Sequence, residues 1–316
     1  MTQRSEPAGI ASNRVPWGAL PASLRAAVEA RAGHRVEDAA SGAAGFSPGY
    51  AGVLRLDDGS RIFVKAGDGA TNPEVARLHA REAVVAAGLP AGLSPRFEWS
   101  FAHEGWVVLA FEAIEGRQPG APWTDADLDA VLQAQRRLAA RPAPAVLEPL
   151  AERHAETFTG WSGLVADGRL GAAPDWARER IDRLVALEGE PVARAAEGDA
   201  IVHLDLRSDN VLIGDEGARI VDWPHAGLGA PWLDLVFFAP TVALEGGAGD
   251  AEAVFARSPL AASAGREELL AIVAGWSGWL LRASLNDPPP GIPTLRAFQA
   301  AQAGAALPWL RRLLGA

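Results

Sequence analysis

Apolar and polar positions follow two different periods in the first part of the chain. In residues 21–33, apolar positions recur at helical spacing and Gly33 supplies a stop signal, so a short helix is predicted there. Residues 50–56 and 61–66 alternate around an Asp-Asp-Gly turn, which is the pattern of a β-hairpin. The chain is therefore expected to begin its folded part with a helix and an antiparallel hairpin.

A second helix and a buried strand follow the hairpin. The helix is predicted to open at Asn72-Pro73, in the cap and first-turn positions, and to close at Gly88. Residues 105–116, GWVVLAFEAIEG, are predicted to form a buried strand that runs into a turn. We therefore expect a small α+β lobe over residues 1–112, of which residues 1–13 form a flexible leader.

From this point onwards the pattern becomes mainly helical. Thr124 and Asp127 stand at the spacing of a capping box, which predicts the start of a helix. Further helices are predicted over residues 174–189, 267–282 and 294–314. Residues 113–316 are therefore expected to form a second, larger and mainly helical lobe.

One stretch of the helical half has a β pattern and an unusual set of polar residues. Residues 201–223 read IVHLDLRSDNVLIGDEGARIVDW, in which Asn210–Ile213 and Arg219–Trp223 are predicted to pair around a GDEG turn. Burying ionisable groups is costly unless they are paired or bind a metal ion, so their presence in an apolar stretch predicts a functional site. The polar side chains concerned are His203, Asp205, Asn210 and Asp222.

The hairpin brings the two ends of this stretch together. Because its strands are antiparallel, Asn210 and Asp222 are expected to lie side by side. An amide oxygen and a carboxylate are hard ligands of the kind that Mg²⁺ takes beside water and phosphate oxygens. Asp205 lies in the loop before the hairpin, where it is free to accept a proton or orient a hydroxyl. Its neighbours Asp209 and His225 are expected to have solvated or capping roles.

Composition and charge narrow the class of protein. The 316 residues exceed the size at which a single core usually stops growing, which favours two lobes. The net charge of −10 argues against a nucleic-acid-binding protein, and the lack of cysteine excludes disulfides and thiolate chemistry. The N-terminus has no signal-peptide core, and the most apolar C-terminal run is too short to span a bilayer. We therefore expect a soluble, cytoplasmic protein that binds neither nucleic acid nor membrane.

The segment from His203 to Asn210, followed by Asp222 after a hairpin, resembles the catalytic loop and metal-binding aspartate of kinase-like phosphotransferases. The stretch between Asp222 and Asp234 is too short for a regulated activation loop. The sequence is therefore more similar to the aminoglycoside phosphotransferase and choline kinase-like family. This resemblance implies an α+β, two-lobed protein-kinase-like fold, with a small β-rich N-lobe and a larger, mainly helical C-lobe.

The resemblance also implies a role for each matching residue. Lys65 is expected to hold the ATP α/β-phosphates and Glu82 to position that lysine, with Glu74 as the rival for the second role. Asp205 is expected to act on the acceptor hydroxyl, and Arg207 could reach the γ-phosphate. The other implied roles are nucleotide contacts from Gly45, Ser47, Glu112 and Ile114, metal ligation by Asn210 and Asp222, and structural support from His203 and Asp234.

The implied function is the transfer of the γ-phosphate of ATP or GTP, with Mg²⁺, to a hydroxyl of a small molecule. An aminoglycoside or other antibiotic is the first expectation; the alternative is a metabolite such as an amino sugar, a sugar or a choline-like amine alcohol. A non-catalytic, pseudokinase-like nucleotide-binding module is the other alternative, and it would be expected to lack Lys65, Asp205 or Asp222. Glu152 and Glu156 could meet a cationic acceptor or form a solvated helix face.

Overall fold

The computed structural model describes residues 14–41, 49–247 and 249–315 of the chain. The predicted leader and the predicted nucleotide contacts Gly45 and Ser47 lie outside the described residues. Within the described ranges, a strand-rich N-terminal part is followed by a larger helical part.

The N-terminal part is a five-stranded antiparallel sheet that packs against two helices. In spatial order its strands run β1-β2-β3-β5-β4. The strands are β1 (Val36–Ser41), β2 (Tyr50–Leu56), β3 (Arg61–Asp68), β4 (Phe97–His103) and β5 (Trp106–Glu112), and the helices are α1 (Ala22–Ala32) and α2 (Pro73–Ala86). The predicted hairpin is present as β2 and β3, in a register that places Ala51 opposite Lys65.

Alternating side chains of β5 explain how the sheet packs against both helices. Ala110 lies in one buried cluster with Leu24 of α1, whereas Phe111 lies in a second cluster with Ala83 of α2. Successive side chains of a strand point to opposite faces. An uninterrupted apolar run such as that of β5 therefore suits a strand that is covered on both sides.

Helix α2 begins where the sequence predicts. The Asn72 side chain accepts a hydrogen bond from the main-chain N–H of Val75 at 3.1 Å, and Pro73 occupies the first turn. Both residues suit a helix start, because the early N–H groups have no partner within the helix. The helix ends at Ala86, and Glu82 lies on its buried face.

The C-terminal part is mainly helical and also contains two small antiparallel strand pairs. Its helices are α3 (Asp125–Ala139), α4 (Leu150–Arg153), α5 (Gly160–Ala166), α6 (Asp175–Arg178), α7 (Ile181–Ala186), α8 (Glu190–Ala196), α9 (Leu233–Leu244), α10 (Ala251–Ala256), α11 (Arg266–Ser284) and α12 (Leu295–Leu314). The strand pairs are β6 (Ala200–Val202) with β9 (Gly227–Gly229), and β7 (Val211–Gly214) with β8 (Gly217–Ile220). The predicted fold class is therefore confirmed, whereas the lobe boundary after residue 112 stays a prediction.

The single helix predicted over residues 174–189 is wrong, because the structure divides it into α6 and α7. At the break, the main-chain N–H of Arg180 donates to the Ala177 carbonyl at 3.1 Å, three residues back instead of four. The Arg180 guanidinium donates to the Trp176 carbonyl at 3.2 Å. In a continuous helix, that carbonyl would accept from the main-chain N–H of Arg180 instead. A side chain therefore competes with the helical hydrogen bond and interrupts the helix.

The functional hairpin is shorter than predicted. Its strands β7 and β8 leave Asn210 at the end of a 3₁₀ turn and Asp222 beyond the last strand residue. The two segments still meet, because the main-chain N–H of Val221 donates to the carbonyl of Asn210 at 3.0 Å.

The connection between β5 and α3 is fixed to this hairpin. Arg117 and Ile213 exchange main-chain hydrogen bonds of 3.0 and 2.8 Å. The segment that follows β5 is thus attached to the edge of β7. Across the described residues, none of the helices combines the length and the apolar character that a membrane crossing requires.

Candidate active site

Strand β3 and helix α2 bring Lys65 and Glu82 together. The Lys65 ammonium donates to both carboxylate oxygens of Glu82, at 2.8 and 2.9 Å, and both side chains are buried. The rival acid, Glu74, is exposed in the first turn of the same helix and pairs with Arg77. The structure therefore places Glu82, and not Glu74, against the lysine.

Asp222 completes the contacts of the lysine from the other part of the chain. The Lys65 ammonium lies 2.6 Å from Asp222 Oδ1. Burial alone would lower the pKa of Lys65, but Asp222 and Glu82 raise it above its ordinary value. For Asp222 burial alone would raise the pKa, and Lys65 and Arg207 lower it well below its usual range. The cleft thus contains an ammonium held between two carboxylates that belong to different parts of the fold.

Lys65 is also the only lysine in the chain, where lysine and arginine together number 29. All the other residues in that count are arginines. A lysine ammonium is a compact point charge, whereas a guanidinium is a planar fork. The single lysine of the chain therefore stands at the position held between the carboxylates of Glu82 and Asp222, which is a sequence signal independent of the motif.

Asp234 and His203 hold the loop that contains Asp205. The Asp234 carboxylate, in the first turn of α9, accepts hydrogen bonds from the main-chain N–H groups of His203 and Leu204, both at 2.8 Å. The His203 ring nitrogen Nε2 lies 2.9 Å from the Val221 carbonyl. Leu204 has a φ of 69°, in the left-handed region that is costly for a branched side chain. These hydrogen bonds hold the loop in that conformation.

Arg207 lies between two carboxylates inside the same loop. Its guanidinium makes a two-pronged contact with Asp209, of 2.9 and 3.0 Å, and a third, short contact with Asp205. The Asp209 side chain is only 4% exposed. The expectation of a solvated or capping role for Asp209 is therefore wrong, and this residue is one that sequence reasoning missed.

The neighbouring residue His225 is half-buried. Its ring lies 5.9 Å from that of His154, and burial lowers the pKa of His225. Its carbonyl lies 3.0 Å from His154 Nε2. The ring of His225 thus lies near that of His154, and the expectation of a solvated or capping role for His225 stays a prediction.

Asn210 and Asp222 suit a divalent cation such as Mg²⁺. The Asn210 amide nitrogen donates to the Asp205 carbonyl at 2.8 Å, which makes the amide oxygen the atom that Asn210 can offer to a metal ion. Asp222 supplies a carboxylate with 25% of its side chain exposed. Both residues line the cleft. An amide oxygen and a carboxylate at the edge of a cleft fit the oxygen ligands that Mg²⁺ prefers while it keeps water or phosphate oxygens.

A cavity of about 360 Å³ lies between the two parts of the chain, which is within the usual size of small-molecule sites. At one end it is bounded by Phe111 and by the segment from Glu112 to Ile114, where the nucleotide base is expected. At the other end lie the cationic and acidic groups, namely Lys65, Glu82, Asp209, Asn210 and Asp222. The cavity thus joins an apolar end to a charged end.

Some predicted residues have other partners or lie elsewhere. The Glu112 carboxylate pairs with Arg219 of β8 at 2.7 Å. Glu152 and Glu156 are both exposed, and neither lines the cavity. Two of the basic residues that line the cavity, His79 and Arg14, were not indicated by the sequence. Burial lowers the pKa of His79 to about 4, so its ring is neutral near pH 7.

The β-rich and helical lobes, together with a charged cleft that contains the lysine, the glutamate and the two aspartates, define a protein-kinase-like phosphotransferase fold. The Phosphotransferase enzyme family matches residues 43–272, which is more than half of the chain. The chain belongs to this family. A search of the curated proteins found no match.

Solved structures with this fold cover most of the chain. A thermostable mutant of aminoglycoside phosphotransferase APH(4)-Ia aligns with a TM-score of 0.57 and 16% identity, over 92% of this chain and 100% of that chain. Macrolide 2'-phosphotransferase type I aligns with a TM-score of 0.57 and 18% identity, over 90% of this chain and 95% of that chain. A choline/ethanolamine kinase family protein from Mesorhizobium loti aligns with a TM-score of 0.55 and 19% identity, over 84% of this chain and 88% of that chain. At such identities the likeness shows the fold alone.

Proposed function

We propose that the protein transfers the γ-phosphate of ATP to a hydroxyl group of a small molecule. The observation that carries this proposal is the set of contacts around Lys65, which pairs with Glu82 and Asp222 at the charged end of an interlobe cavity. This arrangement combines a cation for phosphate oxygens with ligands for a metal ion. The neighbouring loop adds a carboxylate, Asp205, that can act as a base.

The cavity suggests how ATP would bind. The adenine ring would lie at the apolar end, against Phe111, with hydrogen bonds to main-chain groups near Glu112 and Ile114. The α- and β-phosphates would extend toward Lys65, which Glu82 steadies. GTP is the alternative nucleotide, because main-chain N–H and C=O groups can pair with either purine, depending on how the base is oriented. Support for nucleotide binding comes from the related fold, since APH(4)-Ia has been crystallised with ADP and hygromycin B.

Asn210 and Asp222 are the residues that would hold Mg²⁺. When bound, the ion would offset charge on the phosphate oxygens. Asp222 is suited to this role because its pKa is held low by Lys65 and Arg207, so the carboxylate stays ionised. Lys65 would then exchange part of its contact with Asp222 for a phosphate oxygen.

Asp205 is proposed as the residue that acts on the acceptor. It would orient the acceptor hydroxyl, whose oxygen forms a bond to the γ-phosphorus while the bond to the bridging oxygen of ADP breaks. The hydroxyl proton passes to the Asp205 carboxylate. Positioning and electrostatic stabilisation supply most of the acceleration in such reactions. Arg207 contacts Asp205 directly and is anchored by Asp209, so we assign it to the orientation of the base; its reach to the γ-phosphate stays a prediction.

An aminoglycoside or other antibiotic is the first acceptor class to test. This choice rests on association with proteins of the same fold, which include a spectinomycin phosphotransferase crystallised with ADP and spectinomycin. Amino sugars, sugars and choline-like amine alcohols form the second class. A cationic acceptor is compatible with the net charge of −10.

A substrate panel tests this proposal. Purified protein, ATP and Mg²⁺ are incubated with hydroxyl-bearing compounds from both classes, and products are detected by mass. We expect one class to gain the mass of a phosphoryl group, in a reaction that needs both ATP and Mg²⁺. Nucleotide binding without product across a wide panel would favour the pseudokinase-like module, and absence of nucleotide binding would contradict the proposal outright.

A further inference from the structure

An arginine from the start of the described chain extends into the same cavity as Lys65. Arg14 lines this cavity together with Lys65 and Asp222. Its guanidinium nitrogen Nη1 donates to the Ala51 carbonyl at 3.2 Å, and Ala51 is the residue of β2 that pairs with Lys65 of β3. The guanidinium is therefore held on the strand next to the one that carries the lysine.

The segment that carries Arg14 is attached to the sheet at several points. The main-chain N–H of Val15 donates to the Gly49 carbonyl at 2.9 Å, and the Trp17 ring lies 5.5 Å from that of Tyr50. Leu24 of α1 is fully buried in the core beneath the same sheet. These contacts fix the main chain of Arg14 beside the first residues of β2.

Gly49 allows this attachment. It has a φ of +109°, and a side-chain carbon there would lie 2.4 Å from the Ala66 carbonyl. A backbone of this kind favours glycine. The glycine just before β2 therefore allows the chain to pass close to Ala66 of β3, at the residue whose carbonyl accepts the hydrogen bond from Val15.

The charge around Arg14 suits an anionic ligand that carries a metal ion. Burial lowers the pKa of Arg14, and the carboxylates of Asp222 and Asp209 oppose that shift; a guanidinium stays charged in either case. Among the described residues that line the cavity, Arg14 and Lys65 supply the positive charge at neutral pH. Guanidinium groups bind phosphate oxygens through two parallel hydrogen bonds.

We propose that Arg14 binds the phosphates of the nucleotide as a second cation beside Lys65. The inference rests on the proposed function, because it requires a nucleotide in this cavity. It adds to the nucleotide site a residue that precedes the family match, which begins at residue 43. The ligand class is a nucleoside di- or triphosphate, and a nucleoside without phosphates gains nothing from Arg14.

Calorimetric titration of the full chain tests this inference. The Arg14→Gln variant and the wild type are titrated with Mg²⁺ and the non-hydrolysable triphosphate AMP-PNP, and separately with adenosine. We expect the substitution to raise the Kd for AMP-PNP by about tenfold, the size of one charge-assisted contact, and to leave adenosine binding unchanged. Arg31→Gln, at an exposed position in the last turn of α1, is the matched control and is expected to match the wild type.

Three results would overturn the inference. An unchanged Kd for AMP-PNP would mean that Arg14 does not contact the phosphates. Tighter binding by Arg14→Gln would mean that the arginine occupies the site in competition with nucleotide. An equal loss for AMP-PNP and adenosine would indicate a structural role, which the thermal midpoint of the variant would check. If the wild type bound no AMP-PNP, the proposed function itself would fail.

Discussion

Two buried cations lie in or beside the cleft, Lys65 in its wall and Arg207 in the neighbouring loop, and each is held between two carboxylates. The partners of Lys65 lie far away in the sequence, on α2 and after β8. The partners of Arg207, Asp205 and Asp209, each stand two residues away in the same loop. The ion pairs of the first cluster are thus made by the tertiary fold and those of the second within a single loop, although the Arg207 guanidinium also lies 5.9 Å from the ring of Phe298 in α12.

This difference predicts different consequences. The Lys65 cluster exists only when the sheet, α2 and the C-terminal part are correctly packed. Its stability should therefore depend on the packing of both sides of the cleft. The Arg207 cluster depends on the conformation of one loop, which Asp234 stabilises. We expect changes at Lys65 to affect stability and nucleotide binding, and changes around Arg207 to affect turnover.

Replacement of Lys65 by methionine should have the largest effect on the fold and on binding. It would leave Glu82 and Asp222 without their cation in a buried setting, so we expect the free energy of unfolding to fall by about 3 kcal/mol. Urea unfolding measures this change, and titration with AMP-PNP should show weaker binding. Lys65 is the only lysine in the chain. Lys65→Arg is the matched variant, because it keeps the positive charge but replaces the compact ammonium by a planar guanidinium. A wild-type Kd in both variants would remove Lys65 from the nucleotide site.

Replacement of Asp209 by asparagine should separate turnover from binding. The two-pronged contact with Arg207 would be lost, so Asp205 would be oriented less well. We expect kcat to fall by roughly tenfold or more, because small displacements of reacting groups are costly, and the Kd for AMP-PNP to change by less than kcat. Asp215→Asn, at an exposed position in the turn after β7, is the control. A larger change in Kd than in kcat would contradict the separation of the two clusters.

Removal of the cap of α2 should have the smallest effect. Asn72→Ala removes the hydrogen bond to Val75, and we expect a loss of about 1 kcal/mol in the free energy of unfolding. Thr124→Ala removes the corresponding cap of α3 and should cost a similar amount. Only the first helix carries Glu82, so only Asn72→Ala should also weaken AMP-PNP binding slightly. Equal binding in the two variants would mean that the first turn of α2 does not influence the Lys65 cluster.

The sequence predicts the elements that have strong periodic patterns. The β2–β3 hairpin, the start of α2, and α11 and α12 are all confirmed. Strand β4 is absent from the predicted elements, although its sequence FEWSFAH alternates apolar and polar residues as a half-buried strand does. Strand β1, VEDAAS, has no such alternation, and it forms the edge of the sheet by pairing with β2.

The candidate site was predicted unevenly for a physical reason. The pairing of Lys65 with Glu82 is implied in advance by the resemblance to kinase-like phosphotransferases, and both residues stand on elements with a regular period. Asp209 and Arg207 stand two residues apart in an irregular loop, where no period indicates which side chains face each other. Arg14 lies before any patterned segment, and only the tertiary attachment to Gly49 places it at the cleft.

The most direct test of the central claim compares wild type with Asp205→Asn in transfer and in binding. Product is measured by mass with the best acceptor of the panel, and AMP-PNP binding is measured by titration. We predict that the variant binds nucleotide like the wild type and loses phosphoryl transfer by about a thousandfold, as expected when a positioned base is removed. Transfer at the wild-type rate in Asp205→Asn would contradict the assignment of Asp205 as the catalytic base.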